Sequence, residues 1–171
     1  MSRGFLFVHG LPGAGKTSLC RCLSQSRDDV FFADTRSSPA WGSDHMWKIC
    51  ADLYIEGGGD RWLVTDAMAA RRSGRDRLVA RTLHYLEENA GVSFDSTHIV
   101  FLQDPGSDVL SGRRKRSVEE YEALRRTMEL GSATYDYTSV ECAPGEAVES
   151  ISLRFSRLID SWSAGHGPSG P

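Results

Sequence analysis

The stretch Phe5-Leu6-Phe7-Val8-His9-Gly10-Leu11-Pro12-Gly13-Ala14-Gly15-Lys16-Thr17-Ser18 decides how the rest of the chain is read. Phe5–Val8 is a continuous apolar run, the pattern of a central parallel strand buried on both faces. Gly10–Thr17 has the spacing G-x-x-x-x-G-K-[ST] and sits between that strand and a helix starting near Lys16, the context in which the motif acts as a phosphate-binding loop. Its glycines let successive backbone N–H groups converge on phosphate oxygens, and the helix N-terminus adds its dipole. The expected nucleotide-binding set is Gly10, Leu11, Pro12, Gly13, Ala14, Gly15, Lys16, Thr17 and Ser18. Lys16 is expected to reach the β- and γ-phosphates, and the Thr17 hydroxyl to hold Mg²⁺.

Outward from the loop, strand and helix patterns alternate. Val30–Ala33 reads as a second strand ending at Asp34, and Trp62–Thr65 as a third ending at Asp66. Between them lies a helix through Met46, Ile49, Cys50 and Leu53, stopped by Gly57-Gly58-Gly59. A helix through Leu78, Val79, Leu83 and Leu86 leads to a fourth strand at Ile99–Leu102. A helix around Val118, Tyr121, Leu124 and Met128 then leads to a fifth strand near Tyr135–Val140. Val148, Ile151, Phe155, Leu158, Ile159 and Trp162 follow the i, i+3, i+4, i+7 rule of an amphipathic helix. The expected architecture is an α/β three-layer sandwich, a parallel sheet covered by helices on both sides. Residues 1–162 are expected to form a single domain with a small lid near 106–118, and 163–171 a flexible tail.

The chain has 171 residues and a mass of 18.9 kDa, which suits one domain. With 40% hydrophobic and 25% charged residues, it is neither disordered nor supercharged. Its net charge of −3 argues against a protein that merely coats nucleic acid. The basic residues are nevertheless lopsided: 17 of the 20 are Arg, whose planar forks suit phosphate. No run approaches the roughly 18 apolar residues of a membrane span, and Met1-Ser2-Arg3 is followed by no secretion-type apolar region. Cys20, Cys22, Cys50 and Cys142 show no zinc-type spacing, so reduced thiols in a cytoplasmic protein are expected.

The loop implies triphosphate binding, and its neighbours narrow the chemistry. GTPase switches need DxxG and NKxD, but Asp66 is followed by Ala67-Met68-Ala69 and no NKxD occurs. AAA-type and motor-type ATPases usually place a water-polarising Glu after the strand-end Asp, where this chain has Ala67. Transfer to a bound acceptor is therefore favoured over hydrolysis.

On these motifs the chain resembles the small P-loop kinases, the nucleotide-kinase and polynucleotide-kinase-like branch of the P-loop NTPases. The likeness spans most of Gly4–Ser161. Besides the loop, Ile99-Val-Phe-Leu-Gln-Asp104-Pro105 is similar to their fourth strand, and Arg113-Arg114-Lys115-Arg116 to their lid. The resemblance implies five parallel strands in the order 2-3-1-4-5, with ATP and Mg²⁺ as cofactors and an acceptor at the carboxyl ends of strands two and three. The Asp-Arg pair usual after strand three of thymidylate kinases is missing. Asp34-Thr35-Arg36 looks like the Asp-x-x-Arg region of polynucleotide-kinase-like enzymes, with tighter spacing.

The expected catalytic residues are Lys16, Asp34, Arg113 and Arg114, with Asp34 taking the proton of an acceptor hydroxyl. Lid contacts fall to Arg113, Arg114 and Arg116. Thr17 and Asp66 are the expected metal residues, Asp104 being the rival for the second place. Acceptor binding falls to Asp34, Arg36, Trp41, Asp66, Arg72 and Arg75. The last two belong to a cluster, Arg71, Arg72, Arg75, Arg77 and Arg81, able to follow a nucleic-acid backbone or to be a solvated helix face. Trp41 and Trp47 suit either base stacking or the covering of a core edge. Tyr135 and Tyr137 are candidates to help hold adenine, and His9 is read as packed or hydrogen-bonded. The expectation is an ATP-dependent kinase acting on a hydroxyl of a nucleotide or nucleic acid, either a 5′-hydroxyl end or a hydroxymethyl-pyrimidine in DNA. The second acceptor would suit a phage-encoded enzyme acting in its host's cytoplasm. The alternatives are a nucleoside-monophosphate kinase, a small-metabolite or antibiotic kinase, and a non-kinase ATPase or switch. No protein partner is inferred.

Overall fold

The computed structural model describes residues 3–38, 45–113 and 115–165. Strand β1 (Gly4–His9) runs into the glycine loop and helix α1 (Lys16–Ser26). Then come β2 (Val30–Phe32), a short 3-10 turn (Thr35–Ser37), α2 (Met46–Glu56), β3 (Trp62–Ala67) and α3 (Arg72–Ala90). The second half holds β4 (Ser96–Gln103), α4 (Ser107–Arg113), α5 (Val118–Thr127), β5 (Asp136–Glu141) and α6 (Val148–Ser163). All five strands are parallel, in the order β2-β3-β1-β4-β5, as expected.

The period of two along β1 assigns the two faces of the sheet. Leu6 and Val8 pack with Leu19 and Leu23 of α1 and with Ile151, Phe155 and Ile159 of α6. Phe5 and Phe7 point the other way, onto Cys50, Ala51 and Tyr54 of α2 and Val79 and Leu86 of α3. With both faces covered, β1 is fully buried, which is why its sequence shows no alternation of polarity.

The turns follow local chemistry. The Gly57 amide caps α2 through the Leu53 carbonyl at 2.9 Å, and α5 opens with a capping box between Ser117 and Glu120. Gly10 lies where β1 leaves the sheet. A Cβ there would stand 2.6 Å from the Leu102 carbonyl oxygen of β4, a backbone atom with little freedom to move. Helix α6 extends into the expected tail as far as Ser163, and residues 166–171 lie outside the described set. Within the expected lid, 107–113 is helical. Among the described residues no helix is long and apolar enough to cross a membrane.

Candidate active site

The site forms at the carboxyl ends of β1 and β3, where the parallel strands hand over to loops. Gly15, with φ 94°, caps α1 without a side-chain hydrogen bond, so the first N–H groups of the helix face the loop. Lys16 is nearly buried, and its Nζ donates to the Gly10 and Leu11 carbonyls at 2.9 and 2.8 Å. Its ammonium thus spans the loop that is expected to receive phosphate.

Trp62, Val64 and Asp66 share the α1 side of β3, which brings Asp66 to the first turn of that helix. There the Thr17 hydroxyl donates to Asp66 Oδ2 at 3.0 Å. Burial pushes the Asp66 carboxyl above the usual carboxylate range, while Arg36, Thr17 and Lys16 pull the other way. A hydroxyl beside a carboxylate is a hard-oxygen pair that fits Mg²⁺, whose remaining ligands would be phosphate oxygens and water. Among the described residues no cluster of three or more His, Cys, Asp or Glu offers a protein-only metal cage.

Asp34 caps the 3-10 turn after β2. Its carboxylate accepts from Arg21 Nη2 at 2.9 Å and from Arg36 Nε at 3.4 Å. Arg36 itself lines the main cleft, a space of about 810 Å³ walled also by Lys16, Thr17, Asp66, Ala67, Met46, Met68 and Arg113. Arg113, at the end of α4, donates from Nη1 to the Gly13 carbonyl at 3.2 Å and so touches the phosphate loop. Arg116 is exposed between α4 and α5, while Arg114 and Trp41 lie outside the described residues.

Four candidates stand apart from the cleft lining. Arg75 is no acceptor ligand: it is fully buried, its guanidinium donating to the carbonyls of Ala69, Ala70, Glu129 and Gly131. Arg72 is exposed, outside the cleft walls, and its backbone N–H donates to the Glu129 carboxylate at 2.8 Å. Asp104 does not line the cleft that Thr17 lines. Its carboxylate pairs with Arg125 and accepts from Gly106 N–H, which fixes the start of α4. The Tyr137 hydroxyl pairs with His9 Nε2 at 2.9 Å. His9 is buried as expected, and burial, aided by Arg75 and Lys16, lowers its pKa to about 3. Trp47 packs edge-on against Tyr85 of α3, the core-edge role.

Three features had no signal in the sequence. Met46 and Met68 wall the cleft, though nothing about a lone Met marks it as cleft-facing. Leu11, at a variable position of the loop motif, is buried against Leu110 of α4 and Tyr121 of α5, docking the lid on the loop. A second pocket of about 180 Å³ shares Gly15, Ser18 and Arg113 with the main cleft and is closed by Pro105, Cys142, Ala143 and Val148. Its far wall comes from the β5–α6 loop, which carries no motif.

Sheet order, loop and the Thr17–Asp66 pair together define a P-loop nucleotide-binding protein with the small-kinase fold. Residues 1–130 match the family model described as AAA domain, and the chain belongs to that family. No curated protein matches the chain. Among solved structures it is similar to a fungal RNA kinase, with a TM-score of 0.65, 12% identity, and 98% of this chain and 89% of that one covered. An unliganded sugar kinase from Janibacter sp. gives a TM-score of 0.59 at 18% identity, covering 96% of this chain and 98% of its own. The APS kinase of Mycobacterium tuberculosis, in complex with AMPPNP and APS, gives 0.59 at 14% identity, covering 94% and 100%. At such identities the likeness is one of fold.

Proposed function

We propose that the chain is an ATP- and Mg²⁺-dependent phosphotransferase whose acceptor is a hydroxyl of a nucleotide or nucleic acid. The observation that carries this reading is the composition of the main cleft. One continuous space joins the phosphate loop and Arg113 to Arg36, Met46, Ala67 and Met68, leaving room for a second substrate beside the triphosphate. Ala67 stands where a water-polarising acid would be needed, which disfavours simple hydrolysis.

In the proposed step the acceptor oxygen forms a bond to the γ-phosphorus and the bond from that phosphorus to the β–γ bridging oxygen breaks. ADP leaves with the electron pair, and the hydroxyl proton passes to Asp34. Lys16 exchanges its loop carbonyls for phosphate oxygens, and Arg113 neutralises charge from the lid. Mg²⁺ held at Thr17 beside Asp66 would supply further charge neutralisation. The contact of Arg36 with Asp34 Oδ1 is long, at 3.4 Å, so an acceptor phosphate competes for Arg36 and leaves Oδ1 to act as base while Oδ2 stays on Arg21 at 2.9 Å. The smaller pocket between Pro105 and Ala143 is assigned to the nucleobase, since it adjoins the loop through Gly15 and Ser18. The apolar pair Met46 and Met68 favours a second reading, a small organic acceptor.

γ-Labelled ATP offered with 5′-hydroxyl oligonucleotides, hydroxymethyl-pyrimidine DNA, nucleoside monophosphates and sugars tests the proposal. Label on a nucleotide or nucleic-acid hydroxyl is expected. Diphosphate formed from monophosphates alone contradicts the hydroxyl assignment, and label on sugars alone establishes the second reading.

A further inference from the structure

Arg75 occupies a place that the cleft chemistry does not explain. It sits near the start of α3, fully buried, with peptide carbonyls around its guanidinium. Nη1 donates to the Ala69 and Ala70 oxygens, both at 3.0 Å, in the turn that follows β3. Nη2 donates to the Glu129 and Gly131 oxygens, at 2.6 and 2.9 Å, in the segment that follows α5. A guanidinium is a rigid plane with forked donors, so two stretches of chain held on its two nitrogens are held at one spacing.

The first stretch leads directly to the cleft, and the second reaches it through α5 and α4. The first follows Ala67 and Met68, which form its wall. Ala69 in that turn has φ 27°, a positive value that an L side chain rarely adopts and that persists only where the surroundings impose it. The second stretch ends the α4–α5 lid, whose Leu110 and Tyr121 pack on Leu11 of the phosphate loop and whose Arg113 touches Gly13. The seam is reinforced by Glu129 N–H to the Ala70 carbonyl at 2.9 Å and by Ser132 and Ala133 on the Asp76 carboxylate. Arg75 is the buried member that joins both sides through one side chain.

We infer that Arg75 is a positioning residue for phosphoryl transfer, tying the Ala67–Met68 wall to the lid so that nucleotide binding at the loop sets the acceptor wall. The inference rests on the cleft being the nucleotide–acceptor site proposed above. Its first consequence needs no activity. In the native protein, Mg²⁺ with a non-hydrolysable ATP analogue slows amide hydrogen exchange in 67–72 together with exchange in the lid and in α5 with the segment after it, 107–131 in all. In Arg75→Met the lid responds and 67–72 does not. Arg75→Lys gives the same result, because a compact ammonium satisfies one pair of carbonyls and cannot span both. This variant carries the test if the Met variant fails to fold.

In turnover, both variants raise the acceptor KM about tenfold or more while the nucleotide KM changes less than about threefold, the pattern of a displaced wall. A purely structural role would lower the melting temperature without that split. The inference is overturned if 67–72 ignores nucleotide in the native protein, or still responds in the Lys variant as it does in the native chain. Failure of every acceptor would defeat the cleft reading and leave the exchange result to decide the coupling.

Discussion

Asp34 and Asp66 end neighbouring strands, yet they stand in different surroundings. Asp66 is nearly buried, bonded to the Thr17 hydroxyl, with its carboxyl pushed up by desolvation. The Asp34 side chain is 22% exposed and lies between the guanidinium groups of Arg21 and Arg36, the second of which lines the cleft. The first arrangement suits a metal partner, and the second fits the proposed base, from which an acceptor would displace Arg36. Asp34→Asn is expected to leave nucleotide affinity within about twofold, since its ion-pair partners Arg21 and Arg36 lie outside the loop, and to lower turnover about 10²–10⁴-fold. Turnover retained in that variant would remove Asp34 from the chemistry. Both aspartates were legible because each follows a short apolar strand. Arg75 was not, because five arginines in eleven positions read alike as a charged helix face. Which one turns inward depends on carbonyls more than fifty residues further along the chain.

At the scale of elements, the loop between β1 and α1 was legible in full: glycine spacing, buried strand and helix start agree with one another. The lid was legible only as a basic stretch. Its seat depends on Leu11, Leu110 and Tyr121, three residues that no periodicity links, since they lie in three separate elements. Leu110 is fully buried in this small cluster. Leu110→Ala should cost about 2–3 kcal/mol by lost packing, measured by urea unfolding. It should also weaken nucleotide binding, because Arg113 rides on the same short helix and loses its place over Gly13. An unchanged unfolding midpoint together with unchanged affinity would show that the lid is seated by other contacts.

Across the whole molecule, two buried histidines make stability depend on pH. His9 lies under the phosphate loop. His98 lies stacked on Trp162, with ring centroids 3.8 Å apart, and beside Trp62. Burial lowers both pKa values, against the opposing pull of Asp136 at His98. At these sites the folded chain takes up protons only at lower pH than the unfolded chain, which does so near pH 6.5. Stability is therefore present above that pH and lost as pH falls, by up to about 1.4 kcal/mol per pH unit for each histidine. For His9 the loss continues down to about pH 3. Asp66, with its raised pKa, acts in the opposite sense, one group against two. The urea midpoint should be lower at pH 5 than at pH 7.5, and an equal or higher midpoint at pH 5 would contradict this assignment.

The arginine excess also resolves at this scale. Arg113 and Arg36 meet the cleft, Arg75 is internal, and Arg77 and Arg81 form a solvated face of α3. In the proposed function, phosphate recognition rests on a few of these residues rather than on their number. The most direct measurement of the central claim follows where the γ-phosphate of ATP goes. With Mg²⁺ and a saturating hydroxyl acceptor, the account predicts that most of the label appears on the acceptor, and that Lys16→Ala reduces transfer by about 10²–10³-fold or more. Release of the label as inorganic phosphate, at one rate with or without any acceptor, would contradict it.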